Sequence, residues 1–287
     1  MGGLVIEMAS GADRIAATIP NQITKPPDHQ ISKSNHQITK STDHQMRNAT
    51  AVLLSGGLDS AVLLAEEAAA GEVQPVYVSV GLAWEPAERA IIDRLLSSGR
   101  LSRALPPLVS LTVDMRDVYA SSHWAVQGRP PEYHTPDEDV YLPGRNVILL
   151  GKAAVYCASA GLDRIVLGTL GHNPFPDATP GFRSAMATAL SLGLSHSLRI
   201  DAPYAELSKA DVVRRGVQAG VPFDLTLSCM NPHGLQTVQT GSDPGVRPPS
   251  LPQHCGTCSK CRERHDAFIE AGIPDPTPYA DQRYVQA

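Results

Sequence analysis

No stretch of this chain stays apolar for the ~20 residues that a bilayer span needs. Its start also lacks the basic and then apolar regions of a secretory signal. Both absences point to a cytoplasmic protein with no membrane partner. Positive charge is in short supply as well: 24 Lys and Arg against 29 Asp and Glu leave a net charge of −5. Gripping a nucleic-acid backbone needs clustered cations, so no stable nucleic-acid complex is expected. Cysteine is scarce, five in 287 residues, and four of the five come late, at Cys229, Cys255, Cys258 and Cys261. That placement favours a metal site over disulfides in a reducing compartment. Cys157 stands alone in a helical stretch and is expected to pack in the core.

With 42% hydrophobic and 18% charged residues the composition is that of a globular protein able to bury a sizeable core. Residues 1–48 differ from the rest. Between Ile23 and Gln45 they repeat ITKPPDHQ, ISKSNHQ and ITKSTDHQ, with little to bury, and are expected to form a disordered tail. A start at Met46 would remove it.

From Ala51 onward strands alternate with helices. Strands are expected at Ala51–Leu54, Val76–Val80, Leu108–Val113, Ile165–Gly168 and Ser197–Ile200. Helices are expected from Asp59 to Ala70, Glu85 to Ser98, Asn146 to Ala160 and Ser208 to Gly220. Alternation of this kind implies α/β architecture, a doubly wound, Rossmann-like parallel sheet with ligands at its C-terminal strand ends. The expected division is an α/β domain over 49–225 and a separate region over 226–287 that carries the four late cysteines, loop-rich after Cys229, with Thr237–Gln253 an excursion between them.

The chemistry is concentrated in Ser55-Gly56-Gly57-Leu58-Asp59-Ser60, directly after the first strand and at a helix N-terminus. Two glycines let the backbone turn tightly and bring amide groups against an anion, and the helix aims unpaired N–H groups at the same spot. The loop lacks the lysine of kinase-type loops and is not a dinucleotide fingerprint. Asp59 is placed to cap the helix and to help hold Mg²⁺. The four late cysteines suit tetrahedral Zn²⁺ in a closed, structural site, with Gly256 easing the turn inside the first pair.

SGGxDS after a strand resembles the PP-loop of the ATP pyrophosphatases, whose fold is the adenine nucleotide alpha hydrolase-like one. Combined with the late cysteines it resembles the 7-cyano-7-deazaguanine synthase family. Further segments agree: Tyr141-Leu-Pro-Gly-Arg145-Asn146, Ala202-Pro-Tyr-Ala-Glu-Leu-Ser208-Lys209-Ala-Asp, Leu227-Ser-Cys229, and Cys258-Ser-Lys-Cys261-Arg-Glu-Arg-His-Asp-Ala-Phe268-Ile-Glu-Ala-Gly272. The resemblance runs in order from about Ala51 to Pro278.

It implies a ligase, working in queuosine precursor synthesis as a homodimer, that uses ATP twice. A deazapurine acid is adenylated and captured by ammonia as an amide, and the amide is then adenylated and loses AMP to give the nitrile. The resemblance also implies roles. Leu53, Leu54, Ser55, Gly56, Gly57, Leu58, Asp59 and Ser60, with Arg145 and Gly168, would bind ATP. Asp59, Arg145 and Lys209 would be catalytic, and Asn146 would cap its helix or touch the nucleotide. Substrate would be met by Trp84, Glu85, Asn173 and Asp177.

Two of those substrate segments depart from the family. Val80-Gly81-Leu82-Ala83-Trp84-Glu85 replaces Tyr-Gly-Gln-x-His, and Asn173-Pro-Phe-Pro-Asp177-Ala-Thr-Pro180-Gly-Phe182 is a shortened form of the other. The acid and amine therefore stay open between this reaction and that of a divergent paralogue. A PP-loop tRNA-modifying enzyme and a non-catalytic zinc-knuckle adaptor are the other readings.

Overall fold

A computed structural model of the chain describes residues 49–171, 173–234 and 251–285. The repeat tail and most of the 237–253 excursion lie outside the described residues. Five parallel strands form one sheet in the order β3-β2-β1-β4-β5: β1 Thr50–Leu53, β2 Val73–Ser79, β3 Val109–Thr112, β4 Arg164–Val166 and β5 Arg199–Asp201. The order reverses between β1 and β4. In such sheets the crevice for ligands opens at the C-terminal ends of those two strands.

The helices among the described residues are α1 Leu58–Ala70, α2 Glu85–Ser97, α3 Trp124–Gln127, α4 Arg145–Ala160, α5 Pro180–Leu194, α6 Lys209–Gln218 and α7 Ser259–Ala271. None of them is long and apolar enough to cross a membrane. Helix α1 is apolar nearly all round, as a helix packed between a sheet and other helices must be. Leu58, Val62, Leu63 and Leu64 are all buried. Helix α6 starts with a capping box, in which Ser208 Oγ accepts from the Asp211 amide and Asp211 accepts from the Ser208 amide. It approaches α1 closely because Gly216 has no side chain: a Cβ there would lie 2.7 Å from Val62 and 2.4 Å from Phe223. On the other face of the sheet, α4 buries Leu150, Ala153, Ala154 and Cys157. Burial pushes the Cys157 thiol up to about 12, so it is an inert packing residue.

Two helices were not expected, and the second, α7, contradicts the loop-rich reading after Cys229. Helix α5 occupies 180–194, where Thr179 accepts from the Phe182 amide as N-cap and Pro180 stands in the first turn. That Thr-Pro pair is a helix-start signature, but two glycines and weak amphipathy hide the helix behind it. Helix α7 occupies 259–271 and ends at Gly272 with φ +69°. Metal-ligand spacing suggests a knuckle of loops, yet Cys258 and Cys261 open a regular helix.

Candidate functional site

Beyond the end of β1 the chain enters the Ser55–Ser60 loop at the sheet's reversal point. Gly56 holds φ +75°, and a Cβ there would meet Ile91 at 2.8 Å and the Glu88 carbonyl oxygen at 3.2 Å. Only glycine fits this turn. The loop is braced from within: the Ser55 amide donates to Ser60 Oγ at 3.2 Å, and Ser60 Oγ donates to the Gly57 carbonyl at 3.0 Å. It is braced from outside by the Leu227 amide, which donates to the Gly56 carbonyl at 2.8 Å. Leu54 and Leu58 point their side chains into the core, leaving only their main chain at the loop. Gly168, after β4, lets that strand end approach the loop, since a Cβ on it would sit 3.3 Å from Asp59.

The capping expectation for Asp59 is not met. Gly57 is the N-cap of α1, and it makes no side-chain cap. Asp59 instead pairs its Oδ2 with Lys209 Nζ at 3.1 Å. Lys209 also reaches Glu263 at 2.7 Å, and Lys260 reaches Glu263 at 2.6 Å. The result is a half-buried chain of alternating charge contributed by α1, α6 and α7. Burial pushes the Asp59 carboxyl up, with Lys209 offsetting part of this. Glu263 is half-buried, yet it faces two lysines and is held down at about 2. Asp59 Oδ1 is buried with no hydrogen-bond partner, a donor atom suited to a hard cation such as Mg²⁺. Arg145 opens α4 and faces the same space, makes no ion pair among the described residues, and leaves its buried Nε unpartnered.

These groups line a cleft of about 390 Å³. Aromatic side chains line it too, with Trp84 stacked on Trp124 at 5.8 Å and Phe175 stacked on Tyr141 at 5.1 Å. A cleft that joins cationic and unpartnered polar groups to aromatic planes suits an anionic ligand carrying a planar ring.

Glu85 does not face this cleft. Its carboxylate is turned into the β2–α2 junction, accepting from the Val80 amide at 2.8 Å, the Gly81 amide at 3.2 Å and Ser79 Oγ at 2.5 Å. Glu88, about one turn further along α2, lines the cleft instead. Asn173 lines it while its Oδ1 accepts from the Phe175 amide at 2.9 Å. Asp177 receives the Asn146 amide at 3.1 Å and the Asn146 side chain at 3.3 Å, so the pair secures the start of α4. Trp124, Phe175, Glu88, Lys260 and Glu263 escaped sequence reasoning. Only Glu88, sharing a helix face with Trp84 and Glu85, carried a usable signal there.

Glu88 is buried, and Tyr77 donates to it at 2.8 Å. Burial raises its carboxyl to about 7, against the opposing pull of Arg145 and Tyr77. The folded state therefore holds this proton to higher pH than the unfolded chain does, and stability falls as pH rises from 4.5 to about 7. Glu88→Gln has no such proton to lose. Relative to wild type, the variant should gain melting temperature across that window and stay level outside it, as read by calorimetry between pH 4 and 8.

The four late cysteines meet, with their sulfurs within 4.8 Å of one another. Cys255 to Cys261 is 3.8 Å and Cys258 to Cys261 is 3.5 Å. Tetrahedral zinc–thiolate bonds of about 2.3 Å demand sulfurs about 3.8 Å apart, so the cluster fits that ion. Backbone amides of Asn231 and Cys255 point at Cys229 Sγ at 3.3 and 3.2 Å, stabilising a thiolate. Gly256 holds φ +81° where a Cβ would overlap the Asp281 carbonyl.

The fold and site define a doubly wound α/β protein with a glycine loop at the sheet's reversal point and a four-thiol cluster that could hold a metal ion. The chain belongs to the family described as queuosine biosynthesis protein QueC, whose model matches residues 49–272. It is 34% identical over 244 residues to the 7-cyano-7-deazaguanine synthase of Methanopyrus kandleri, covering 81% of this chain and 99% of that protein. It is 32% identical over 253 residues to the one from Thermoplasma volcanium, covering 82% and 92%. A solved structure described as a predicted subunit of tRNA methyltransferase from Methanocaldococcus jannaschii matches over 82% of this chain and 94% of that one. At 12% identity and a TM-score of 0.37 it carries no argument.

Proposed function

We propose that this protein is an ATP-dependent ligase that turns 7-carboxy-7-deazaguanine and ammonia into 7-cyano-7-deazaguanine by way of adenylated intermediates. The observation that carries the reading is the convergence of the Ser55–Ser60 loop, Arg145 and Lys209 with aromatic side chains in one cleft. The chain's relatives bear that enzyme's name.

Neither a carboxylate nor an amide oxygen leaves readily until it is a phosphate ester, which explains a need for ATP at both steps. Amides of Gly56 and Gly57 and the first turn of α1 would receive the pyrophosphate end of the nucleotide. Arg145, free of any described ion pair, would meet the charge that builds on the phosphate in the transition state. Lys209 would follow the departing pyrophosphate, with Asp59 and Glu263 keeping it charged beforehand. Mg²⁺ at Asp59 would neutralise phosphate charge, and Zn²⁺ in the thiol cluster would be structural. The aromatic planes of Trp124 and Phe175 would sandwich the deazapurine. The reaction would run in the cytoplasm, with the enzyme a homodimer; sedimentation at micromolar concentration measures the latter.

Pyrophosphate exchange into ATP tests the reading. Exchange should depend on 7-carboxy-7-deazaguanine, and adding ammonium should yield amide and then nitrile by mass spectrometry. No exchange with this acid would sink it. The position of Trp84 and Glu85 in a segment that departs from the family favours one second reading, a paralogue that adenylates a related deazapurine acid for another amine. Exchange with that other acid alone would select it.

A further inference from the structure

Adenylation accounts for the charged groups of the cleft and leaves the nitrogen unaddressed. Ammonium carries no lone pair, so a nucleophilic nitrogen must first lose a proton, and making a nitrile removes more protons from the same atom. A group that accepts them has to be unprotonated yet basic enough to take a proton near neutral pH, close to the reacting carbon and not locked in an ion pair. Asp59 and Glu263 fail the last condition, since Lys209 and Lys260 hold them. Glu85 is consumed by the β2–α2 junction.

We propose that Glu88 is the proton acceptor for the nitrogen nucleophile, and that the small cavity beside it seats ammonia. Three observations carry this. Glu88 lines the main cleft, and its own main chain abuts Gly56 of the Ser55–Ser60 loop, 3.2 Å from where a Cβ would stand. Glu88 also borders a second cavity of about 60 Å³, shared with Tyr77, Ser55 and Arg145 and otherwise walled by apolar side chains, among them Val78 and Leu149. That space has room for a molecule the size of water, whose share of liquid volume is about 30 Å³. Finally, Arg145 borders both spaces, so it disfavours ammonium against neutral ammonia beside the carboxylate. The groups facing Glu88 are Tyr77 from β2, Arg145 from α4, and Trp84 and Glu85 from its own helix and the turn before it; their balance leaves its carboxyl raised.

The step balances. The nitrogen lone pair forms the new C–N bond, and the bond from the carbonyl carbon to the AMP oxygen breaks with its electron pair leaving on AMP. The surplus proton on nitrogen passes to the Glu88 carboxylate and thence to solvent. In the second cycle the activated amide loses AMP by the same cleavage, an N–H pair becomes the third C–N bond, and Glu88 again takes the proton.

This inference rests on the ligase reading, and one set of preparations separates the two. Wild type, Glu88→Gln, Glu88→Asp and Tyr77→Phe are each assayed for acid-dependent pyrophosphate exchange without ammonium, then for amide formation with ammonium chloride from pH 5.5 to 9 (assay range, roughly bracketing the Glu88 titration). Loss of exchange in wild type would end the ligase reading itself. If exchange is present, Glu88→Gln should keep it within about threefold while amide formation drops about 10²–10³-fold, the usual worth of a positioned base. Glu88→Asp should recover part of that loss. Tyr77→Phe removes a donor that favours the charged form, so the rising limb of the pH profile should move to higher pH. Amide formation by Glu88→Gln at the wild-type rate with the same pH profile would overturn the proposal.

Discussion

Substituting Cys261 by serine should abolish acid-dependent exchange and release the C-terminal segment to proteases. Treating wild type with a strong chelator should do the same. The four late cysteines are core residues as well as candidate ligands, all of them at most 2% exposed and packed with Ala87, Ile91, Leu227 and Tyr279. Binding of structural zinc contributes on the order of 10 kcal/mol, comparable with the whole stability of many domains. The consequence reaches the cleft along two routes. Helix α7 begins between the ligands and carries Lys260 and Glu263 into it, while Leu227, two residues before Cys229, pins the Gly56 carbonyl. Arg264, wholly buried, fastens the same helix to Thr226, Phe223 and Thr277. A Cys261→Ser protein with unchanged metal content, melting temperature and exchange rate would contradict this account.

Lys209→Met should be the most damaging single change within the cleft. It removes one cation from between two carboxylates and leaves the half-buried Asp59 with no partner on either oxygen. Breaking a buried pair in this way costs roughly 3–5 kcal/mol. In a chain of this size that lowers the melting temperature by roughly 6–20 °C. Exchange should fall about 10²–10³-fold from the loss of a charge aimed at the phosphates. The pH dependence gives the sign. In wild type, Lys209 and Lys260 hold Glu263 at about 2, below its ordinary 4.5, so its stabilisation is complete above 4.5 and is lost as pH falls through 2. Without Lys209 the Glu263 carboxyl moves up, and acid unfolding should begin at higher pH. Thermal melts from pH 2 to 8 (scan range, about spanning both values) check this. An unchanged acid limb would show that Lys209 bears no such load.

Legibility of the fold and of the site followed the range of the interactions involved. The Ser55–Ser60 loop could be read because it is local: two glycines, a strand before and a helix after define it within six residues. The thiol cluster could be read from ligand chemistry, although its sulfurs come from positions 26 residues apart. Helix α7 could not be seen, because ligand spacing suppresses the apolar periodicity by which a helix is recognised. Glu85 and Glu88 illustrate the same limit in one helix. Both are acidic, both sit beside Trp84, and only the twist of α2 against β2 decides that the first closes a turn while the second reaches the cleft. Lys260 and Glu263 look like surface charges on the chain and become part of the cleft only because α7 docks beside α6.

What the sequence determined by itself was the alternation of strands and helices, the glycine turn and the identity of the four thiols. Each is set by propensity, backbone freedom or ligand type within a short span. What the tertiary structure alone decided was convergence: Arg145, Lys209, Lys260, Glu263 and Glu88 arrive at one cleft from four different helices. Their positions depend on how α2, α4, α6 and α7 pack around the sheet, and packing is a property of the whole core that no window of sequence contains.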